Sequence, residues 1–134
     1  MLLGGAAGAF VGPDDLDLEL SLEATRAAGL SLGSGVVMVF DDTVHMGPVV
    51  LRIAEFFRDE SCGQCVPCRV GTMRQHEVLL NLGNGGESAH LDGLLSDIDA
   101  VMSDASICGL GHTAASAVRS AVGLGLVAGG LNDR

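Results

Sequence analysis

Two hydrophobic patterns follow one another along the chain and change over near residue 45. In 1–45 the apolar residues come in short runs broken by glycine and turn residues. Val36-Val37-Met38-Val39-Phe40 lies between Gly33-Ser34-Gly35 and Asp41-Asp42, and predicts a short buried strand. Phe10 and Val11, ahead of a Gly-Pro-Asp-Asp turn at 12–15, are candidates for another strand. Residues 21–28 suit one or two helical turns.

From Gly47 the apolar spacing becomes three and four, as in a helix with one buried face. Four helices are expected. The first runs from about Pro48 to Asp59, with proline in its first turn and Val49, Ile53, Phe56 and Phe57 on one face. The second runs from near Pro67 to about Leu82, with Val70, Met73, Val78, Leu79 and Leu82 as its apolar set and Gly83-Asn84-Gly85-Gly86 ending it. The third spans about Ser88 to Asp104 and carries Leu91, Leu94, Leu95, Ile98, Val101 and Met102. The fourth begins after Gly111 and carries Ala114, Ala117, Val118, Ala121 and Val122. The expected class is α+β: a partial sheet unit over 1–45, a four-helix bundle over 46–126, and a tail at 127–134.

Composition narrows the partners. The 134 residues carry a formal net charge of −10, with seven arginines and no lysine. Nucleic acid and anionic lipid both need a positive footprint, so neither is expected; a basic partner surface fits better. The apolar opening MLLGGAAGAFVG lacks the basic flank of a signal peptide, and the tail AVGLGLVAGGL is too short and glycine-rich to span a bilayer. A cytosolic setting without direct membrane insertion is therefore expected. There, four cysteines read as metal ligands, with two disulfides as the alternative. The core, without Trp or Tyr and with four Phe, is thin enough to gain from a metal centre.

The cysteines carry the chemistry. Cys62, Cys65 and Cys68 stand at C-x2-C-x2-C spacing, and Cys108 follows 40 positions later. A cubane has four irons and takes one thiolate on each. Three thiolates at this spacing wrap one side of it, and a remote segment supplies the fourth. Gly63 suits the positive φ that such a loop demands, and Pro67 stiffens the turn before the third ligand. Gly109 and Gly111 let the backbone approach beside Cys108, and Arg69 offsets the anionic charge of a cluster on four thiolates. The helix N-terminus near Pro67 acts in the same direction. Zinc is the competing occupant, although its thiolate sites usually pair two ligands with two. The corresponding alternatives in function are a zinc-stabilised interaction module without a redox role, and a cluster-bearing assembly or sensor protein.

Other residues give weaker signals. His45, His76, His90 and His112 read as ordinary surface or capping histidines, with His112 also placed to reach a cluster sulfur. Gly4-Gly5-Ala6-Ala7-Gly8 is glycine-rich but shows no preceding strand, which argues against a phosphate loop.

The segments Glu60 to Thr72 (ESCGQCVPCRVGT) and Ser106 to Gly111 (SICGLG) closely resemble the C-terminal cluster domain of the NADH-binding flavoprotein subunit of respiratory complex I. The diaphorase subunits of NAD-linked hydrogenases and formate dehydrogenases are similar. Gly4 to Val37 resembles the latter part of the β-grasp domain that precedes the cluster domain there. The resemblance implies a [4Fe–4S] cluster on Cys62, Cys65, Cys68 and Cys108, with Gly63, Arg69 and Gly109 around it. It implies electron transfer from FMN, reduced by NADH, to Fe–S centres in a ferredoxin-like partner subunit. It places the protein at the inner membrane only through a larger complex. The family's FMN and NADH domain has no counterpart among these residues. Two arrangements are open, a fragment of a longer protein or a separate protein that meets a flavin domain in trans, and in either these residues alone are not expected to oxidise NADH.

Overall fold

A computed structural model of the chain describes residues 1–83 and 88–127, with side chains described outside 83 and 88–91. Three two-residue strands, β1 (Leu2–Leu3), β2 (Ala9–Phe10) and β3 (Val37–Met38), form an antiparallel sheet in the order β2-β1-β3. Leu2 pairs with Phe10 on one side and Met38 on the other, and Leu3 pairs with Ala9 and Val37. Six helices follow or intervene: α1 (Leu22–Ala27), α2 (Met46–Glu60), α3 (Val66–Gly83), α4 (Ser88–Ala105), α5 (Gly109–Thr113) and α6 (Ser116–Gly123). The class is thus mixed α+β. The expected glycine-rich end of the second helix, at 84–86, lies outside the described residues, as do the side chains of His90 and Leu91 and the tail beyond 127.

Local chemistry accounts for the small half. Ser21 caps α1 by accepting the Ala24 N–H at 3.1 Å. The glycine-rich segment at 4–8 does follow a strand, contrary to expectation. It is a tight 3-10 turn, Gly5–Ala7, that returns the chain as antiparallel β2 instead of opening a helix. Strand β3 corrects a second expectation. Val37 and Met38 are 42% and 43% exposed rather than buried: the other edge strand, β2, is covered by α6, whereas β3 packs chiefly against β1.

The sheet and the helices share one core. Leu2 and Phe10 pack with Val50 and Ala54 of α2, Val78 and Leu79 of α3, Leu95 of α4, and Ala117, Val118 and Ala121 of α6. The Phe10 N–H donates to Ser120 Oγ at 2.8 Å, which ties β2 to α6. A smaller cluster of Phe57, Met102, Ala114 and Ala115 lies where α2, α4 and the α5–α6 joint meet.

Three helical faces differ from expectation. On α2, Val50, Ala54 and Phe57 are buried, Val49 and Ile53 are half-buried, and Phe56 is turned outward. On α3, Val70 and Met73 are exposed, whereas Thr72, Gln75 and His76 are buried. On α4, Leu95 and Met102 point inward while Leu94 and Val101 are exposed. Helix α3 packs against both α2 and α4, so its flanks are covered whatever their polarity. The expected fourth helix is in two pieces. At the break, the Ala114 carbonyl accepts from Gln75 Nε2 at 2.9 Å instead of from a helical N–H.

Candidate metal centre

The first ligand loop grows from the end of α2. Helix α2 stops at Glu60, and Ser61 turns extended, with φ −64° and ψ 121°. Gly63 then takes φ +78°, the left-handed conformation expected of it. Its N–H donates to Ser61 Oγ at 3.4 Å, and its carbonyl accepts from the Arg69 guanidinium. Arg69 thus braces the loop mechanically as well as adding positive charge. Cys65 stands immediately before α3, and its carbonyl accepts the Arg69 N–H at 2.9 Å. Cys68 sits in the first turn of α3. Its carbonyl takes the hydroxyl of the buried Thr72 at 2.9 Å, and its Sγ lies 3.5 Å from Ser61 Oγ.

The second loop joins α4 to α5. The Ile107 N–H donates to Cys65 Sγ at 3.4 Å, which brings the segment before Cys108 onto the first loop. A Cβ on Gly111 would lie 2.2 Å from Ser106 Oγ and 3.3 Å from Cys68 Cβ, so the backbone passes there only as glycine. At Gly109 a Cβ would meet nothing within 4 Å among the described residues, so these do not require glycine at that position. His112 Nε2 donates to the Ser106 carbonyl at 2.7 Å and so ties the second loop together.

The four cysteines are free, with no disulfide among them. Cys62 and Cys108 are exposed, Cys65 is intermediate, and Cys68 is buried. Among the described residues, no three His, Cys, Asp or Glu side chains converge closely enough to hold a metal ion. One tetrahedral ion, which draws thiolates to about 2.3 Å from a single point, would require these loops to contract. A cubane meets each thiolate at a different iron. The donor set fits such a group: four thiols on two loops in direct contact, with a glycine where a side chain would block the approach. Ser106 Oγ, buried in the second loop, has no hydrogen-bond partner among the described residues.

Of the histidines, His76 is a correction. It is 9% exposed, between α2 and α3, with Arg58 Nη1 at 3.0 Å from Nδ1 and Glu55 Oε1 at 3.5 Å from Nε2. Packing of the two helices covers a position that the pattern assigned to solvent. Beside it, a hydrogen bond from Arg58 holds the Asp59 carboxyl below its ordinary value. His45 is exposed at the start of α2 and caps nothing with its side chain. Sequence reasoning passed over Ser61, Thr72, Gln75 and Ser106. Ser61, Thr72 and Ser106 lie within the two segments that carry the resemblance, whereas Gln75 carried no signal.

Together these features define a small α+β module with two cysteine loops meeting at one end. The chain belongs to the family described as the NADH-ubiquinone oxidoreductase-F iron-sulfur binding region, which matches residues 48–123. It is 37% identical over 111 residues to the NADP-reducing hydrogenase subunit HndC of Solidesulfovibrio fructosivorans, covering 82% of this chain and 22% of that protein. It is 37% identical over 120 residues to the F-subunit of NADH-quinone oxidoreductase from Mycobacterium bovis, covering 89% of this chain and 27% of that one. Among solved structures, an NAD+-reducing [NiFe]-hydrogenase in the H2-reduced state superposes with a TM-score of 0.80 at 30% identity. That superposition covers 98% of this chain and 23% of the hydrogenase chain. The chain thus spans about a quarter of the length of these relatives. No described helix is long and apolar enough to cross a membrane.

Proposed function

We propose that the chain holds one [4Fe–4S] cluster on Cys62, Cys65, Cys68 and Cys108 and relays electrons within an NADH dehydrogenase-type oxidoreductase. The observation that supports this reading is the Ile107 N–H on Cys65 Sγ, which brings the segment before Cys108 into contact with the first cysteine loop. When bound, the cluster supplies a one-electron carrier. The residues hold it and tune it. Gly63 turns the loop, Arg69 braces it and adds positive charge, and the approach at 109–111 brings in the fourth ligand. Cys62 and Cys108, both exposed, form the side open to a redox partner.

Four thiolates serve one cubane, so donor and acceptor lie outside these residues. We read 1–45 as a β-grasp remnant whose outer strand β3 offers an edge to a flavin domain. That domain, or a separate subunit, would carry FMN and the NADH site. A ferredoxin-like Fe–S subunit would accept the electrons. The placement is at the cytoplasmic side of a larger assembly, reaching the inner membrane only through it.

Anaerobic reconstitution followed by iron and sulfide analysis and EPR tests this. The expected result is about four irons and four sulfides per chain, with an EPR signal on reduction. Stoichiometric zinc without iron would replace the reading with a structural metal module.

A further inference from the structure

Cys68 differs from the other ligands in its surroundings. It is 6% exposed, whereas Cys62 and Cys108 face solvent. Water can donate hydrogen bonds to an exposed thiolate. It does not reach a buried one, which must find donors within the protein or have none. The side chain beside Cys68 Sγ is Ser61, with its Oγ at 3.5 Å.

The direction of this contact follows from its neighbours. Ser61 Oγ accepts the Gly63 N–H at 3.4 Å, so one lone pair is committed to the loop. The hydroxyl has one proton, and the acceptor within reach of it is Cys68 Sγ. In the free protein either atom can donate. Once Cys68 ligates iron it is a thiolate without a proton, and Ser61 must be the donor. The position is held from both sides: Ser61 terminates α2, Cys68 lies in the first turn of α3, and those helices pack together.

We propose that Ser61 is a potential-setting residue: its hydroxyl donates to the buried Cys68 thiolate and raises the reduction potential of the cluster. The inference rests on the cluster reading above. Its physical basis is charge. Reduction adds an electron that is partly carried by the sulfurs, so a donor to sulfur stabilises the reduced form more than the oxidised one. In the low dielectric around Cys68 the effect is larger than at the surface. Cys65 receives its donor from a backbone amide, Ile107, which side-chain changes leave in place. Ser61 is therefore the side chain through which sequence adjusts this term.

The test uses the full chain, reconstituted anaerobically as wild type, Ser61→Ala and Ser61→Thr, with iron content measured first. Midpoint potentials are then read by EPR in dye-mediated titrations. Ser61→Ala is expected to disfavour reduction by up to about tenfold in the one-electron equilibrium constant, a shift of about 59 mV to more negative potential. Ser61→Thr, which keeps the hydroxyl, is expected to stay near wild type. Equal potentials for wild type and Ser61→Ala at equal iron content would overturn the role of Ser61 and leave the cluster reading intact. Wild type that takes up no iron would overturn the cluster reading and this inference with it. If Ser61→Ala does not load, Ser61→Gly, which also lacks the hydroxyl, is titrated in its place: a more negative potential than wild type supports the hydroxyl donor, and an equal one removes it.

Discussion

The backbone N–H of Ile107 donates to the sulfur of Cys65 at 3.4 Å across 42 positions of chain. This contact joins the loop that ends α2 to the loop that ends α4, through the residue next to Cys108. A metal group bound by both loops would be a cross-link in a protein with a small core, and its binding free energy would be folding free energy.

Replacing Cys108 tests that coupling. Cys108 is exposed, so Cys108→Ser should leave the metal-free chain almost as stable as wild type. In the cluster-loaded state the same change should lower Tm by at least about 4 °C, the effect of roughly 1 kcal/mol in a domain of this size. Anaerobic thermal melts of all four species would show it. Equal Tm values for loaded wild type and mutant would contradict the cross-link.

Gly109 and Gly111 should behave differently despite their identical chemistry. At 111 a Cβ overlaps Ser106 and crowds Cys68, so Gly111→Ala should destabilise the metal-free chain by about 1–3 kcal/mol. At 109 a Cβ meets nothing among the described residues, so Gly109→Ala should stay within about 0.5 kcal/mol in the metal-free chain. Urea denaturation separates the two. A loss of iron binding in Gly109→Ala with unchanged stability would assign Gly109 to the cluster's own approach.

Arg69 combines a brace with a charge, and substitutions can part them. Arg69→Gln keeps a donor for the Gly63 carbonyl and removes the charge; Arg69→Ala removes both. Arg69→Gln should hold iron nearly as long as wild type but at a more negative potential. Arg69→Ala should in addition lose its visible absorbance several-fold faster under chelator. The potential difference should shrink at high salt, because Arg69 is exposed.

The purified chain should not oxidise NADH. Hydride delivers two electrons, and a single cubane accepts one at a time. The glycine-rich segment at 4–8 is a hairpin turn between β1 and β2, not the strand-to-helix turn of a dinucleotide site. Ferricyanide reduction by NADH should be absent with the chain alone and appear when a flavin domain of the family is added. Activity without any flavin would place a catalytic site in these residues.

The sequence by itself determined the local features. The C-x2-C-x2-C spacing, the remote Cys108, the positive φ of Gly63 and the existence of α2, α3 and α4 are properties of a few adjacent residues, and short-range sterics and periodicity report them. Tertiary structure decided what covers each face. Phe56, Val70 and Met73 fit an apolar stripe yet lie outside, while Thr72, Gln75 and His76 lie inside between neighbouring helices. Gln75 is tolerated there because its amide donates to the Ala114 carbonyl at the break between α5 and α6, a partner 39 positions away. The same holds for β3: Val37 and Met38 are exposed, whereas Phe10 on the opposite edge of the sheet is buried where β2 packs against α6. Burial depends on neighbours that are distant in sequence, and hydrophobic periodicity carries no information about which neighbour arrives. The contacts at the cysteines follow the same rule. Ser61 and Ile107 reach sulfur only because the ends of α2, α3 and α4 converge, and that convergence is set by helix packing.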